Sequence, residues 1–442
     1  METTITSRET IKPSLPTPNE HKTHKLCLFD VFQLNTYFPL ILFYQKTTNM
    51  QEFPNVSSQL KKSLSKTLTI FHPLAGRRSD CFFIDCNDEG AIYIEASVNI
   101  SMEEFLKPPK LEFLNQLLPC EPNKVHPHEE VLPQLLIQVN LFQCGGIAIG
   151  LCNLHTLLDA YSCSTFLKTW STISKGSREE ITWPDFFSAP SFFPPINTFG
   201  VRSGVLNINN DSNLEVKCTT RRFLFNIKAI NDLKTMLESD TKTTRYKAVS
   251  SFICKHMIVA CTKESCDHMR SLVVLHVVDM RKRMGEPFST SSIGNLLWPA
   301  MMLVEDVNKS IDIRDLIRIL EEELGKLTKD FFLKVHKDPS FLWSDECGEL
   351  MLERIATKIP ISFVFTSWAN MGFNELNFGW GKPLWLAQRG GTKETIPNTV
   401  VLMETNEGME AWVTMAEKHM AILENDMDFL KLAFLNPSVS NI

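Results

Sequence analysis

The chain has 442 residues, of which 43% are hydrophobic and 22% are charged, and its formal net charge at pH 7 is -6. A single hydrophobic core seldom grows beyond about 250–300 residues, so this length predicts two domains of an ordinary globular protein. The slightly acidic balance gives no electrostatic reason to bind nucleic acid or an anionic membrane surface, and both are excluded as expected partners.

The chain begins with a polar segment and an extended arm. Residues 1–9 lack the apolar core of a secretion signal, and residues 10–20 contain three prolines. No later stretch approaches the roughly 18 uncharged apolar residues that a membrane span needs. We therefore expect a cytoplasmic protein, and we interpret its 12 scattered cysteines as reduced thiols.

The segments that follow predict a domain of mixed helices and strands. Apolar residues at positions 60, 64, 68 and 71 form a helical stripe, and residues 82–96 predict a hairpin with an Asp-Glu-Gly sequence at its tip. Leu135–Phe142 and Ile147–Cys152 are apolar strands joined by a glycine turn. We place this first domain at residues 1–182.

His155 lies where the second of these strands ends, at a junction between a strand and a helix. From Asp159 onward the apolar residues follow a helical period, so Asp159 lies at the start of the predicted helix. The residues alone leave two interpretations open. Asp159 can cap the helix beside a structural His155, or His155 can be a general base, because imidazole titrates nearest neutral pH.

A crossover segment and a second mixed domain complete the chain. Residues 183–214 are rich in Pro, Ser, Phe and Asn without a clear period, and we expect this crossover to pack on the surface through its phenylalanines. The second domain is expected at residues 215–442. Its predicted strands are Thr220–Phe225 and Leu272–Asp279, and its predicted helices are Ile227–Leu237, Lys247–Thr262 and Ile313–Leu327.

No metal site is predicted. The two closest approaches are the group His256, Cys261, Cys266 and His268, and the pair His126 and His128. Neither has a recognised zinc spacing, and roles in the core or in a loop explain both. The chain also lacks a Gly-x-Gly-x-x-Gly sequence after a strand and a Walker loop, so the sequence gives no support to those two classes of nucleotide-binding enzyme.

Motifs in five separated regions occur in a fixed order along the chain. They are Ile11–Pro18, Leu64–Leu68 with Pro73–Arg77, His155–Asp159, Val278–Arg281 with Gly294 and Asn295, and Thr366–Trp368 with Phe378–Pro383. Together they resemble the BAHD acyltransferases, plant enzymes that transfer an acyl group from coenzyme A to an alcohol or amine. The resemblance runs nearly end to end, and its specificity comes from the combination of the motifs.

The resemblance implies a mixed α/β fold of two chloramphenicol-acetyltransferase-like domains with an active-site channel at their interface. It also implies a monomer without a tightly bound cofactor, with acyl-CoA, in particular acetyl-CoA, as co-substrate. The arm is most similar to the branch that acetylates alkaloid alcohols, so we expect transfer to a hydroxyl of a plant specialised metabolite. An acylsugar-type acyltransferase is the alternative within that branch. A catalytically lapsed binding protein is the other alternative, because Asn377 and Ala160 replace a usual aspartate and glycine.

The resemblance also assigns roles to residues of the motifs. His155 is the general base that takes the proton of the hydroxyl and returns it to the departing thiolate, without an acyl-enzyme. Asp159 points away from the substrate and forms an ion pair with Arg281. Trp368 and Thr366 are expected near the acyl carbonyl and its oxyanion, although a buried aromatic role explains Trp368 equally well.

Asn377, Gly379, Trp380 and Gly381 belong to a motif that has a structural role in the family. The family almost always has aspartate at the first position of this motif. Asparagine keeps the shape of the side chain but loses its charge, so any ion pair becomes a neutral hydrogen bond or disappears. We expect local compensation rather than loss of activity.

Contacts to the two substrates are expected on separate segments. The candidates are Lys247, Ser250, Ser251 and Lys255 for the phosphates of coenzyme A, and Phe32, Tyr37 and Phe38 for the acceptor. A solvated helix face explains the first group equally well, and core packing explains the second.

Overall fold

The computed structural model describes the chain except for residues 46–51, 123, 128–129, 178–180, 197–216, 238–242, 264–271, 305–306, 308–310, 344–361, 392–396 and 440–442. The described residues form two large β-sheets and one small sheet, with helices against the large sheets. The mixed α/β architecture predicted from the sequence is thus confirmed. No helix among the described residues is long and apolar enough to cross a bilayer.

The first large sheet has six strands. They are β1 (Thr3–Ile11), β3 (Tyr37–Tyr44), β6 (Ala91–Val98), β7 (Leu135–Phe142), β8 (Ile147–Leu154) and β13 (Trp385–Ala387), in the spatial order β1-β6-β7-β8-β3-β13. The helices that accompany it are α1 (Leu28–Val31), α2 (Phe53–Ile70), α3 (Met102–Leu106), α4 (Ala160–Lys175) and α5 (Ser188–Phe192). Strands β7 and β8 and helices α2 and α4 confirm the elements predicted from periodicity.

Helices α2 and α4 pack together through a buried tryptophan. The indole nitrogen of Trp170 on α4 donates to the carbonyl oxygen of Leu60 at 3.2 Å and to Oγ of Ser63 at 3.0 Å. A buried indole N–H needs such an acceptor, because desolvating it without one is costly. These bonds hold α4, whose first turn follows His155, in a fixed position over the sheet.

The predicted hairpin at residues 82–96 is wrong. Its first half is β5 (Phe83–Asp85), which belongs to a small sheet with β2 (Thr23–Lys25) and β4 (Arg77–Arg78), whereas its second half is β6 of the large sheet. The segment between β5 and β6 does not form a hairpin turn, and its Asp88 is directed toward the N-terminal arm. Its carboxylate accepts hydrogen bonds from the backbone N–H and hydroxyl of Thr17 at 3.0 and 2.5 Å.

The second large sheet has seven strands. They are β9 (Cys218–Asn226), β10 (Leu272–Asp279), β11 (Leu297–Val304), β12 (Ser362–Ser367), β14 (Thr399–Thr405), β15 (Gly408–Ala416) and β16 (Phe434–Leu435), in the spatial order β11-β10-β12-β14-β15-β9-β16. The accompanying helices are α6 (Ile227–Met236), α7 (Arg245–Thr262), α8 (Arg281–Met284), α9 (Ile313–Lys326), α10 (Lys329–Lys337), α11 (Glu417–Leu423) and α12 (Met427–Leu430). All five elements predicted for this half of the chain are present.

Strand β13 crosses from the second half of the chain into the first sheet, where it pairs with β3. Its Trp385 donates to the buried carboxylate of Glu410 on β15 at 3.0 Å, and Arg222 on β9 binds the same carboxylate at 2.8 Å. Trp412 contributes a third donor at 3.2 Å. A buried carboxylate is tolerated when a cation and further donors satisfy it, so this cluster connects the two sheets.

The described part of the crossover packs through three of its four phenylalanines, as expected. Phe186 contacts the ring of Phe71 at 5.9 Å, and Phe192 contacts that of Phe288 at 5.2 Å. Phe193 is buried against Phe288, with ring centroids 5.8 Å apart, whereas Phe187 is 78% exposed. The remainder of the predicted crossover, residues 197–214, lies outside the described residues.

Buried histidines beside the small sheet make the fold sensitive to acid. Burial lowers the pKa of His24 to about 3 and that of His72 to about 4, so both are neutral in the folded protein at pH 5. In the unfolded chain histidine titrates near pH 6.5, and the unfolded state therefore binds more protons between about pH 6.5 and 4. The free energy of unfolding falls as the pH drops through that window.

We expect His24→Gln to reduce this acid sensitivity. Glutamine cannot take up the proton that the unfolded chain binds at His24, so the difference between the melting temperatures at pH 7 and pH 4.5 becomes smaller than in the parent. Thermal unfolding in matched buffers measures the difference. An equal or larger difference in the variant would contradict the assignment.

Candidate active site at the domain interface

His155 follows the last residue of β8 and is held there by the neighbouring strand. Its backbone N–H donates to the carbonyl oxygen of Thr36 at 2.9 Å. The imidazole is half-buried and lies edge-on to the ring of Phe38, with centroids 5.8 Å apart. Phe38 in turn contacts the ring of Trp368 at 4.7 Å. Three predicted site residues from distant parts of the sequence are thus brought together.

The second partner of the imidazole is Asn295, which precedes β11. Nδ1 of His155 lies 2.9 Å from Oδ1 of Asn295, and Nδ2 of Asn295 donates to the carbonyl oxygen of His155 at 2.7 Å and to Oδ1 of Asp30 at 2.9 Å. Both N–H groups of the amide are therefore used, and its oxygen can only accept. The proton of the neutral imidazole is consequently on Nδ1, which leaves Nε2 with the lone pair of a base.

Asp159 is the N-cap of α4, and it is also one half of a buried ion pair. Its Oδ1 accepts from the backbone N–H of Ser162 at 2.7 Å, and its two oxygens lie 3.2 and 2.8 Å from Nη2 and Nη1 of Arg281. Asp279 binds Arg281 at 2.8 Å on the other side. Burial alone would lower the pKa of Arg281, but the two carboxylates raise it above its usual value. Asp159 makes these bonds in place of one to His155, whose Nδ1 is bonded to Asn295.

Gly294 connects this ion pair to the segment that contacts His155. Its carbonyl oxygen accepts from Nη2 of Arg281 at 3.0 Å and from Oγ of Ser162 at 3.1 Å, and its backbone N–H donates to the same Oγ at 3.2 Å. The backbone φ of Gly294 is 132°, a region that side chains with a Cβ avoid. The ion pair therefore fixes the dipeptide that presents Asn295 to His155.

The other residues predicted to contact the acceptor or the acyl carbonyl lie in different surroundings. Thr366 is half-buried on β12, two residues before Trp368. Tyr37 uses its hydroxyl to donate to the carbonyl oxygen of Pro133 at 2.8 Å, so that group is already occupied. Phe32 packs with an apolar cluster that contains Phe29 and residues of the second half of the chain. Phe38 alone of the three acceptor candidates touches the imidazole among the described contacts.

The predicted coenzyme A contacts lie on the first half of α7. Lys247 forms an ion pair with Glu321 at 2.8 Å and is largely covered. Ser250 and Ser251 are buried, and within the described part of the chain Oγ of Ser251 has no hydrogen-bond partner. Contact between these hydroxyls and a phosphate would need α7 or its neighbours to move, so the assignment stays a prediction.

The motif at Asn377 shows how asparagine replaces aspartate. Oδ1 of Asn377 accepts from the backbone N–H groups of Gly379 at 2.9 Å and of Gly381 at 3.1 Å. Both glycines have positive φ, 117° and 107°, and Trp380 between them lies on Phe378. Because both donors are neutral backbone groups, an amide oxygen serves as well as a carboxylate.

We expect Asn377→Asp to leave folding and turnover close to those of the parent, because the carboxylate can accept the same two bonds. Asn377→Ala removes the oxygen that accepts both bonds and should lower the free energy of unfolding by about 1–3 kcal/mol, since each bond contributes about 0.5–1.5 kcal/mol. Urea unfolding of the three proteins measures the difference. A large change in Asn377→Asp would contradict this account.

Two residues of the site were missed as functional residues by the sequence interpretation. The sequence interpretation includes Asn295 only as part of a motif and assigns no role to Asp30. A carboxylate inside the apolar segment Leu26–Val31 was the available signal, because a buried carboxylate needs donors. Among the described residues no group of three or more His, Cys, Asp or Glu could hold a metal, and His128, Cys266 and His268 lie outside them.

The imidazole of His155 contacts residues from both halves of the chain, and the bond from Nδ1 to Asn295 leaves the lone pair on Nε2, an arrangement suited to proton transfer. A model of the Transferase family matches residues 1–430. The chain belongs to this family, the BAHD acyltransferases, and is an acyl-CoA-dependent acyltransferase.

Known relatives are similar over their whole length. The chain is 34% identical to akuammiline synthase 2 of Alstonia scholaris over 99% of this chain and 98% of the relative. It is 34% identical to limonoid 1-O-acetyltransferase of Citrus sinensis, covering 99% of this chain and 100% of the relative. The crystal structure of vinorine synthase superposes with a TM-score of 0.81 at 30% identity, covering 99% of both chains.

Proposed function

We propose that the protein transfers an acetyl group from acetyl-CoA to a hydroxyl of a plant specialised metabolite such as an alkaloid. The observation that carries the chemistry is the amide of Asn295, which accepts from Nδ1 of His155 and leaves the lone pair on Nε2. The choice of acetyl and of a bulky apolar alcohol is supported by the relatives, which include limonoid acetyltransferases and a stemmadenine O-acetyltransferase of Catharanthus roseus.

Nε2 of His155 takes the proton as the hydroxyl oxygen attacks the thioester carbonyl. The oxygen forms the new ester bond, the tetrahedral oxyanion collapses, and the carbon–sulfur bond breaks. The proton on Nε2 then passes to the departing thiolate, so free coenzyme A and neutral imidazole are restored. No acyl-enzyme is formed, because the acceptor attacks the thioester directly.

Aromatic groups beside the imidazole support an apolar acceptor. Phe38 and Trp368 contact each other next to His155, and both are largely buried. Such rings offer a large apolar contact area and exclude water, which competes with the alcohol for the thioester. Trp368 remains our candidate for the group near the acyl carbonyl.

The experiment is an acyl-transfer assay on the purified full chain. Acetyl-CoA is combined with a panel of alkaloid alcohols, limonoid alcohols and sugar esters, while free thiol and product mass are followed together. Ester formation with an apolar alcohol supports the proposal. Products only with sugar esters would favour the acylsugar alternative, and no thiol release with any acceptor or acyl-CoA would favour a binding protein.

A further inference from the structure

Asp30 is a buried carboxylate that takes no direct part in the proton transfer described above. It lies on the single turn of α1, where Leu28, Phe29 and Val31 are also buried. Its Oδ2 accepts from the backbone N–H of Cys27 at 2.8 Å, and its Oδ1 accepts from the backbone N–H and the amide Nδ2 of Asn295 at 2.7 and 2.9 Å. All three of these donors are neutral.

The bond to Cys27 is local, but the bonds to Asn295 join positions 265 residues apart. A helix cap requires the first bond only. The second pair directs the carboxylate at the amide that contacts the base. Burial raises the pKa of Asp30 to about 6, and the hydrogen bonds from Cys27 and Asn295 oppose that rise, so the group is largely ionised at neutral pH.

We infer that Asp30 is a positioning residue for His155 that acts through Asn295. An ionised carboxylate can only accept, so it draws both Nδ2 and the backbone N–H of Asn295 toward itself and directs Oδ1 of that residue toward Nδ1 of His155. Its negative charge, one amide group away, also stabilises the imidazolium formed when Nε2 takes the proton of the alcohol. This inference rests on the proposed function for its kinetic consequence and on geometry alone for the position of the proton.

Asp30→Asn is the informative substitution because it keeps the size of the side chain. The new amide would present its NH2 group either to Cys27 or to Asn295. In the second arrangement the amide of Asn295 rotates, its NH2 faces Nδ1 of His155, and the imidazole proton moves to Nε2. An imidazole with its lone pair on Nδ1 cannot take the proton of the acceptor hydroxyl, because Nδ1 faces Asn295.

We expect kcat of Asp30→Asn to fall at least tenfold, while the KM for acetyl-CoA stays near that of the parent. Asp88→Asn is the matched control, since Asp88 also accepts a backbone N–H and lies beside the N-terminal arm. That control should lower the melting temperature without changing kcat. A kcat of Asp30→Asn within twofold of the parent would overturn the inference.

The position of the proton is measured independently by nitrogen NMR of histidine-labelled protein, with the signal of His155 assigned by its loss in His155→Gln. We expect Nδ1 to be protonated in the parent and a substantial Nε2–H population in Asp30→Asn. Protonation of Nε2 in the parent overturns the inference, even if the variant does not fold. Because this readout needs no substrate, it also decides the inference if no acceptor is turned over.

Discussion

His155→Ala should lower kcat for acetyl transfer by about 10²- to 10⁴-fold, which is the usual contribution of a positioned general base. The reason is that the alcohol must then lose its proton to water while it attacks. The KM for acetyl-CoA should change little, because the imidazole acts on the proton of the acceptor. Release of free thiol in the presence of an active acceptor measures the rate.

The matched control is His256→Ala. His256 also binds one partner through Nδ1, the carboxylate of Asp426 at 2.7 Å, but it lies on α7 in the second half of the chain. Its loss should reduce stability and leave kcat unchanged. If His155→Ala releases thiol as fast as the parent with every active acceptor, His155 is not the base.

The elements around the base could be predicted because local patterns specify them. Strands β7 and β8 are apolar runs separated by a glycine turn, and α4 begins directly after Asp159, which caps it. The bounds of β10 agree with the sequence prediction at both ends. In each case residues close in sequence determine both the period and the end of the element.

The contacts that complete the site could not be predicted in the same way. Asp30 and Asn295 meet only in the folded protein, and neither has a local pattern that names its partner. Strand β13 has three residues and no measurable period, yet it joins the first sheet through β3. The predicted hairpin failed for the same reason, since Asp88 makes its decisive contacts with Thr17 in the distant N-terminal arm.

The histidine and the aspartate of the His-x-x-x-Asp motif belong to different hydrogen-bond networks. Both networks contact the dipeptide Gly294-Asn295. His155 is bonded to Asn295, whereas Asp159 is bonded to Arg281, which in turn binds the carbonyl oxygen of Gly294. The two residues of the motif therefore differ in role: His155 is the proposed base, and Asp159 anchors the loop through Arg281. Damage to the anchor should displace the base indirectly, through the loop that carries Gly294 and Asn295.

Asp159→Ala should therefore primarily impair folding. It leaves the guanidinium of Arg281 buried with Asp279 as its remaining carboxylate among the described contacts, and it removes the cap of α4. Breaking one half of a buried ion pair costs about 3–5 kcal/mol, a large share of the roughly 5–15 kcal/mol that stabilises a typical domain. Little soluble protein, or a much lower melting temperature, is the expected result.

Asp159→Asn combined with Arg281→Met separates the stability that comes from the ion pair from the stability that comes from the cap of α4. Asparagine still accepts from the N–H of Ser162, so the cap is kept in both Asp159 variants. Because Asp159→Asn and Arg281→Met each break the same ion pair, the double variant should lose less stability than the sum of the two single losses. Melting temperatures of the parent, the two single variants and the double variant give the coupling energy. Normal folding of Asp159→Ala with loss of turnover alone would instead give Asp159 a direct role in the reaction.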